Sequence, residues 1–147
     1  DCSGTEVKWY GFSHLFQGYP DLIKAPKLPA TSLWEGAYAD MFKGTVLTEA
    51  PELPATILAD HCYNEMFKYC KSLTQAPELP ATTLTEACYS NMFWGCSSLT
   101  QAPELPATTL ADYCYYVDFD KIYRNVDKLK VELKLAVKSG VHIILFP

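Results

Sequence analysis

A ten-residue segment recurs four times along the chain and constrains its fold more than any other feature. Its copies read KAPKLPATSL, EAPELPATIL, QAPELPATTL and QAPELPATTL, and the alanines of the four Ala-Pro pairs are Ala25, Ala50, Ala76 and Ala102. The steps between copies are 25, 26 and 26 residues. Self-similarity at a period of roughly 20 to 50 residues is typical of solenoids, in which each repeat buries its apolar face against its neighbours. We therefore expect a solenoid, an architecture that usually supplies recognition surfaces.

Composition and charge exclude several classes of protein. The 147 residues are 49% hydrophobic, which is ordinary for a folded domain and argues against disorder. Acidic residues outnumber basic ones by 17 to 12, so the basic footprint of a nucleic-acid-binding protein is absent. No stretch approaches the ~18 apolar residues of a membrane span, and the start does not resemble a signal peptide. Because the first residue is Asp1 rather than Met, we expect a mature product or an excised fragment.

Each repeat is predicted to combine one short strand with one helix. The segment from Leu73 to Leu79 contains a proline that cannot donate to a sheet, so its strand should be only about three residues long. Ser or Thr followed three residues later by an acid is a capping box, which marks a helix start. The pairs are Ser32/Glu35, Thr83/Glu86 and Thr109/Asp112. Apolar residues then recur at i, i+4 and i+8, as on one helix face. These sets are Leu33/Ala37/Met41, Leu58/Cys62/Met66 and Leu84/Cys88/Met92, and the helices should end near Gly44, Tyr69 and Gly95.

The two ends of the chain depart from the repeat. We expect one domain over 1–147, with a half repeat or cap at 1–20, about four repeats at 21–120 and a C-terminal cap at 121–147. The tail alternates apolar and polar residues from Leu129 to Val137, and a turn at Lys138-Ser139-Gly140 precedes a second apolar run. This pattern predicts a β-hairpin cap. A helix remains the alternative, through Ile122, Val126, Leu129 and Leu133.

The repeat resembles a known bacterial family. Residues 92–100 read Met-Phe-x-Gly-Cys-x-Ser-Leu-Thr and precede Ala-Pro-Glu-Leu-Pro, which is similar to the Phe-x-x-Cys-x-x-Leu unit of BspA-like leucine-rich repeats. The resemblance covers roughly Val7 to Phe119. It implies an α/β leucine-rich-repeat solenoid of right-handed coils, no catalytic residues, and a cell-surface or secreted setting in which several family members are adhesins. The chain departs from the family in its Ala-Pro-x-Leu-Pro segment and its longer period.

The cysteines fall into repeat positions that favour packing over chemistry. Cys62, Cys88 and Cys114 share one position and Cys70 and Cys96 another, whereas Cys2 has no counterpart. If the segments were helical, the pairs would lie ~12 Å apart within a repeat and ~8–10 Å apart between helices, beyond the ~7 Å that a disulfide spans. We therefore expect buried free thiols. Without Cys-x-x-Cys we expect no zinc site, and nothing indicates another metal or cofactor.

Two further sets of equivalent residues have competing interpretations. The acidic column is Glu52, Glu78 and Glu104, with Lys27 at its first position. It could form an anionic stripe for a cation or basic partner, but we favour a solvated edge that discourages aggregation. The tyrosine column is Tyr38, Tyr63, Tyr89 and Tyr115, extended by Phe12. We expect it to pack in or beside the core.

Positions that vary between copies are the best candidates for ligand contact, because the scaffold constrains them least. The candidates are Trp34, Trp94, Tyr113, Tyr116 and His61. Large aromatic side chains there should be exposed, and Trp and Tyr are favoured anchors in interfaces; incidental surface aromatics are the competing interpretation. Catalysis has little support. His61 precedes Cys62, but neighbours in a helix point about 100° apart and do not form a nucleophile–base pair.

These observations favour a non-enzymatic recognition module. The resemblance places it at a bacterial cell surface or outside the cell, with a protein or a glycan as its partner and no nucleic acid or membrane insertion. An intracellular or phage-encoded inhibitor, which would act in the cytoplasm, is one alternative. A structural spacer from a longer repeat array is another.

Overall fold

The computed structural model describes residues 5–100 and 103–115, which belong to one compact unit, Asp1–Val117. Within these ranges the regular secondary structure is limited to strands β1 (Glu6–Val7) and β2 (Ser32–Leu33), which pair in parallel with Glu6 opposite Ser32. Isolated parallel bridges join Lys24 to Glu49, Ser32 to Ile57 and Thr83 to Thr109. The predicted C-terminal cap and the domain limit at 147 lie outside the described residues.

Successive repeats lie on one another and are joined by backbone hydrogen bonds. The amide of Tyr63 donates to the carbonyl of Cys88 at 3.0 Å, and that of Phe67 donates to Met92 at 3.0 Å. Each bond spans 25 residues, close to the 25- and 26-residue steps of the sequence repeat. We call each repeat-length stretch a layer. The layers start at Glu6, Ser32, Ile57, Thr83 and Thr109, which occupy equivalent positions.

Consecutive turns fill the part of each layer where a helix was predicted. The amides of Met66 and Lys68 donate to the carbonyl three residues earlier, at 3.2 and 3.0 Å, while the amide of Phe67 between them donates to the next layer. Every fourth residue has a positive φ, as at His61 (57°), Glu65 (52°) and Tyr69 (63°). L-residues in this left-handed region cannot continue an α-helix. The prediction of an α/β leucine-rich-repeat fold with one helix per repeat is therefore wrong.

The helical pattern misled because a turn period of four produces the same apolar spacing. Cys62, Met66 and Cys70 are buried at i, i+4 and i+8, as they would be on a helix face. The capping-box serine Ser32 lies in β2 instead of at a helix start. The described part of the half repeat, residues 5–20, is built in the same way, with positive φ at Tyr10 and at His14.

The proline-containing segments are extended and alternate between core and solvent. In the second copy Leu53 and Ala55 are buried, whereas Glu52 and Pro54 are exposed. Proline cannot donate to a ladder, so threonines beside these segments carry the hydrogen bonds between layers. The carbonyl of Thr74, for example, accepts both the amide and the hydroxyl of Thr100, each at 3.2 Å.

Two aromatic ladders run through the core across successive layers. In the tyrosine ladder the ring centroids are 5.7 to 5.9 Å apart and the planes lie within 21° of parallel. Its members are Phe12, Tyr38, Tyr63, Tyr89 and Tyr115. The second ladder, with centroids 5.7 Å apart, contains Phe16, Phe42, Phe67 and Phe93. The prediction that the tyrosine column packs in or beside the core is confirmed, since these rings belong to the core or pack against it.

Candidate binding groove

An open groove of about 510 Å³ lies beside the two short strands. Its lining includes Trp9, Leu33, Trp34, Glu35, Ile57 and Asp60. Trp9 and Trp34 follow β1 and β2 closely in sequence, so the parallel pairing of these strands brings the two indoles together. Their ring centroids are 5.7 Å apart and the planes are tilted by 58°. Trp9 is 68% exposed and Trp34 36%, so both rings offer surface to a ligand.

A charged pair holds the indole of Trp34 in place. The indole N–H of Trp34 donates to Oε1 of Glu6 at 2.5 Å. The ammonium of Lys8 lies 2.8 Å from Oε2 of the same carboxylate and 4.2 Å from the centroid of a Trp34 ring. The hydrogen bond from Lys8, followed by the one from Trp34, lowers the pKa of the Glu6 carboxyl. An ammonium group thus lies against a face of the Trp34 indole, the ring that also lines the groove.

Carboxylates and an aliphatic side chain supply the rest of the groove. Ile57 is 65% exposed, so it presents an apolar face there. Glu35 accepts a hydrogen bond of 3.1 Å from the hydroxyl of Tyr10, which raises the pKa of that phenol. Asp60 accepts the backbone N–H of Glu86 at 3.0 Å. The groove therefore combines two indoles, an apolar wall and two carboxylates.

The predicted contact residues do not meet at one site. Trp34 lines the groove, whereas Trp94 packs edge-on against Tyr69 with centroids 4.5 Å apart, under the ammonium of Lys68 at 4.9 Å. His61 lines a smaller cavity of about 250 Å³. That cavity is also lined by Tyr10, Ser13, His14, Ala39, Asp40 and Asn64.

The remaining candidates are exposed or lie outside the described residues. Tyr113 is 65% exposed, as large aromatics at the variable positions were expected to be, and it has a positive φ of 55°. Tyr116 lies outside the described residues. The acidic column of Glu52, Glu78 and Glu104 is exposed, as is Lys27, and none of these residues lines the groove. A contact role for any of these residues stays a prediction.

Sequence reasoning missed Trp9 and Ile57. Trp9 stands in the half repeat at the position that Glu35, Asp60 and Glu86 occupy in later layers, and this replacement of an acid by an indole was the available signal. Ile57 replaces the Ser or Thr of the capping box. It lines the groove.

The cysteines described by the structure are free and buried, which confirms the expectation for Cys62, Cys70, Cys88, Cys96 and Cys114. Cys2 lies outside the described residues. Burial raises the pKa of the Cys88 thiol to about 12 and also raises that of Cys62. Since the thiolate is the nucleophile and metal ligand, these protonated thiols are poorly suited to either role. Among the described residues no group of three or more His, Cys, Asp and Glu side chains is arranged to hold a metal ion.

A second charged cluster links neighbouring layers. Lys43 lies 2.8 Å from Asp40 in its own layer and 2.6 Å from Glu65 in the next, and Glu65 also pairs with Lys68 at 2.7 Å. Burial by itself would lower the pKa of Lys43, but its hydrogen bonds to Asp40 and Glu65 raise it overall. Burial would raise the pKa of Glu65, but its hydrogen bonds from Lys43 and Lys68 lower it overall. The charges in this cluster are therefore matched within the protein.

Within the part of the chain that the structure describes, no helix is long and apolar enough to cross a membrane. No protein-family model, curated protein or solved structure matches the chain.

Proposed function

We propose that the chain is a non-enzymatic recognition module that binds a protein or a glycan through the groove containing Trp9 and Trp34. The observation that carries this proposal is the pair of exposed indoles 5.7 Å apart at an open groove. Indoles favour ligand contact because they offer a large apolar face with one polar N–H. A setting at a bacterial cell surface or outside the cell is supported by the resemblance of the repeated residues to BspA-like repeats.

The structure supports binding more than catalysis for a physical reason. The buried thiols are held protonated, and His61 has its backbone in the left-handed region beside a fully buried Cys62. The groove carries indoles, an aliphatic wall and carboxylates on repeated, hydrogen-bonded backbone. Rigid presentation of aromatic side chains reduces the conformational entropy lost on binding.

Retention of a partner from host extracts on the immobilised chain tests this function. A Trp9→Ala, Trp34→Ala variant should lose the retained partner, because both indoles contribute contact area. The matched control is Leu15→Ala, Tyr19→Ala, which removes two apolar side chains that are 52% and 56% exposed in the layer that contains Trp9. Equal retention by the wild type and the indole variant would contradict the proposal.

A further inference from the structure

The groove and the surface that continues it carry a column of carboxylates. Glu35, Asp60, Glu86 and Asp112 occupy one position of successive layers. Their backbone carbonyls accept amides from the preceding layer at 2.9 to 3.0 Å, which fixes the column in register. All four residues are exposed. Equivalent side chains of neighbouring layers, such as the rings of the tyrosine ladder, recur at 5.7 to 5.9 Å, so the carboxylates form a closely spaced row.

The charges of this column are not matched by cations within the described residues. The ion pairs that Asp40 and Glu65 make with Lys43 and Lys68 neutralise the second cluster. No Lys, Arg or His side chain in the described part of the chain makes an ion pair with Glu35, Asp60, Glu86 or Asp112. Like charges at this spacing repel one another, so the column gains from a cationic partner.

The indole of Trp34 shows what kind of cation fits. The ammonium of Lys8 already lies 4.2 Å from a Trp34 ring centroid and pairs with Glu6 at 2.8 Å. This is the geometry of a cation–π contact, which favours ammonium and guanidinium groups. The side chain of Lys8 is 65% exposed, so a ligand cation can compete with it for the indole. The exposed Ile57 adds apolar surface within the groove.

We propose that the groove binds an extended, lysine- or arginine-rich segment of a partner protein. Its cationic side chains lie against Trp9 and Trp34 and pair with Glu35 and Asp60, while its aliphatic stems cover Ile57. The segment continues along the column towards Glu86. This inference rests on the proposed function and narrows its ligand from a protein or a glycan to a basic polypeptide. A neutral glycan would use the indoles but gain nothing from the carboxylate column.

Binding of a fluorescent peptide with lysine at alternate positions tests this inference, measured by anisotropy at low and at high salt. A peptide of the same length with glutamine for lysine is the ligand control. We expect the lysine peptide to bind the wild type and the glutamine peptide to bind at least about tenfold more weakly. Affinity should fall as salt rises, because the carboxylates and ammonium groups are solvent-exposed and screened.

The protein variants separate the groove from general negative charge. Glu35→Gln with Asp60→Asn keeps the hydrogen-bonding oxygens but removes two charges, and should weaken binding by about tenfold. Glu52→Gln with Glu78→Gln removes the same charge from exposed positions outside the groove and should change affinity less than about twofold. Lys8→Gln should strengthen binding, because it removes the competing ammonium from Trp34.

The inference would be overturned if the lysine peptide did not bind. It would also be overturned if the groove variant and the charge-matched control weakened peptide binding equally, or if Lys8→Gln left the affinity unchanged. Such a result leaves the proposed function standing if the Trp9→Ala, Trp34→Ala variant still loses a partner from extracts. If the indoles retained a neutral glycan and the lysine peptide did not bind, the inference of a basic ligand would be overturned, while the proposed function would stand. If the wild type neither binds the lysine peptide nor retains a partner that the indole variant loses, both proposals are contradicted. Thermal unfolding of every variant is the control that checks whether the fold is intact.

Discussion

The thiol of Cys96 donates a 3.0 Å hydrogen bond to the backbone carbonyl of Phe67 in the preceding layer. Cys70 makes the equivalent bond to Phe42, also at 3.0 Å. In the layer before, Thr45 occupies the same position, and its hydroxyl donates to Phe42 at 2.8 Å. The two thiols therefore add buried hydrogen bonds to the backbone bonds that join the layers, whereas the Thr45 hydroxyl bonds within its own layer.

Cys96→Ala should lower the free energy of unfolding by about 1–2 kcal/mol, through the lost hydrogen bond and the small cavity. Cys96→Thr should recover part of this loss, because Thr45 is accommodated at the equivalent position while only 2% exposed. Urea unfolding followed by fluorescence measures both variants. A threonine variant less stable than the alanine variant would show that the column requires sulfur.

The buried thiols should resist alkylation while the chain is folded. With the pKa of Cys88 raised to about 12, its thiolate fraction at pH 8 is about one in ten thousand. Iodoacetamide followed by peptide mapping should modify Cys88 only after denaturant is added. Rapid modification of Cys88 in the native protein would contradict its burial in the core.

The positive φ angles predict that exchanging glycine for alanine and alanine for glycine in the turns have opposite effects on stability. Gly95→Ala should destabilise the protein by about 1 kcal/mol or more, since φ is +77° and the new Cβ would lie 2.7 Å from Cδ1 of Tyr69. Ala87→Gly, at φ 49°, should be neutral or stabilising because glycine adopts this region without strain. Thermal unfolding compares the two variants. Ala81→Gly, at a buried position without a positive φ, is the control and should be destabilising. Similar losses at Ala87 and Ala81 would contradict the turn geometry.

The charged cluster predicts losses of stability at both ends of the pH range. The folded pKa of Glu65 is lowered, so its contribution is present above its unfolded value near 4.5 and is lost as pH falls through the folded value. The folded pKa of Lys43 is raised, so its contribution is present below its unfolded value near 10.5 and is lost as pH rises through the folded value. Thermal midpoints of the wild type and Glu65→Gln should therefore differ most between these limits. A difference that does not shrink below pH 4.5 would contradict the Glu65 pairings.

The sequence predicted which residues are equivalent better than it predicted the backbone that carries them. The repeat steps are close to the offsets of the hydrogen bonds, as between Tyr63 and Cys88, because equivalent residues pack against one another. Burial of the tyrosine and cysteine columns followed from the small or aromatic residues at each copy. Cys62, Met66 and Cys70 suit a helix face and a turn period of four equally well, so apolar spacing could not separate the two.

The distinguishing signal was the residue type at every fourth position. Gly36, Asp40 and Gly44 in one layer and Asn91 and Gly95 in another are the residue types that tolerate the left-handed region. The groove was harder to predict, because it combines side chains from four layers. Trp34 was recognised as a variable aromatic, but its neighbour Trp9 lies in the divergent first layer, where the repeat pattern gives least guidance.

The hydrogen bonds between layers hold the fold together, and NMR scalar couplings across hydrogen bonds observe them directly. The structure predicts couplings from the amide nitrogen of Tyr63 to the carbonyl carbon of Cys88, and from Phe67 to Met92. An α-helix would instead couple Phe67 to the carbonyl four residues earlier, that of Tyr63. Detection of the first set would support stacked layers of turns, and detection of the helical coupling would contradict them.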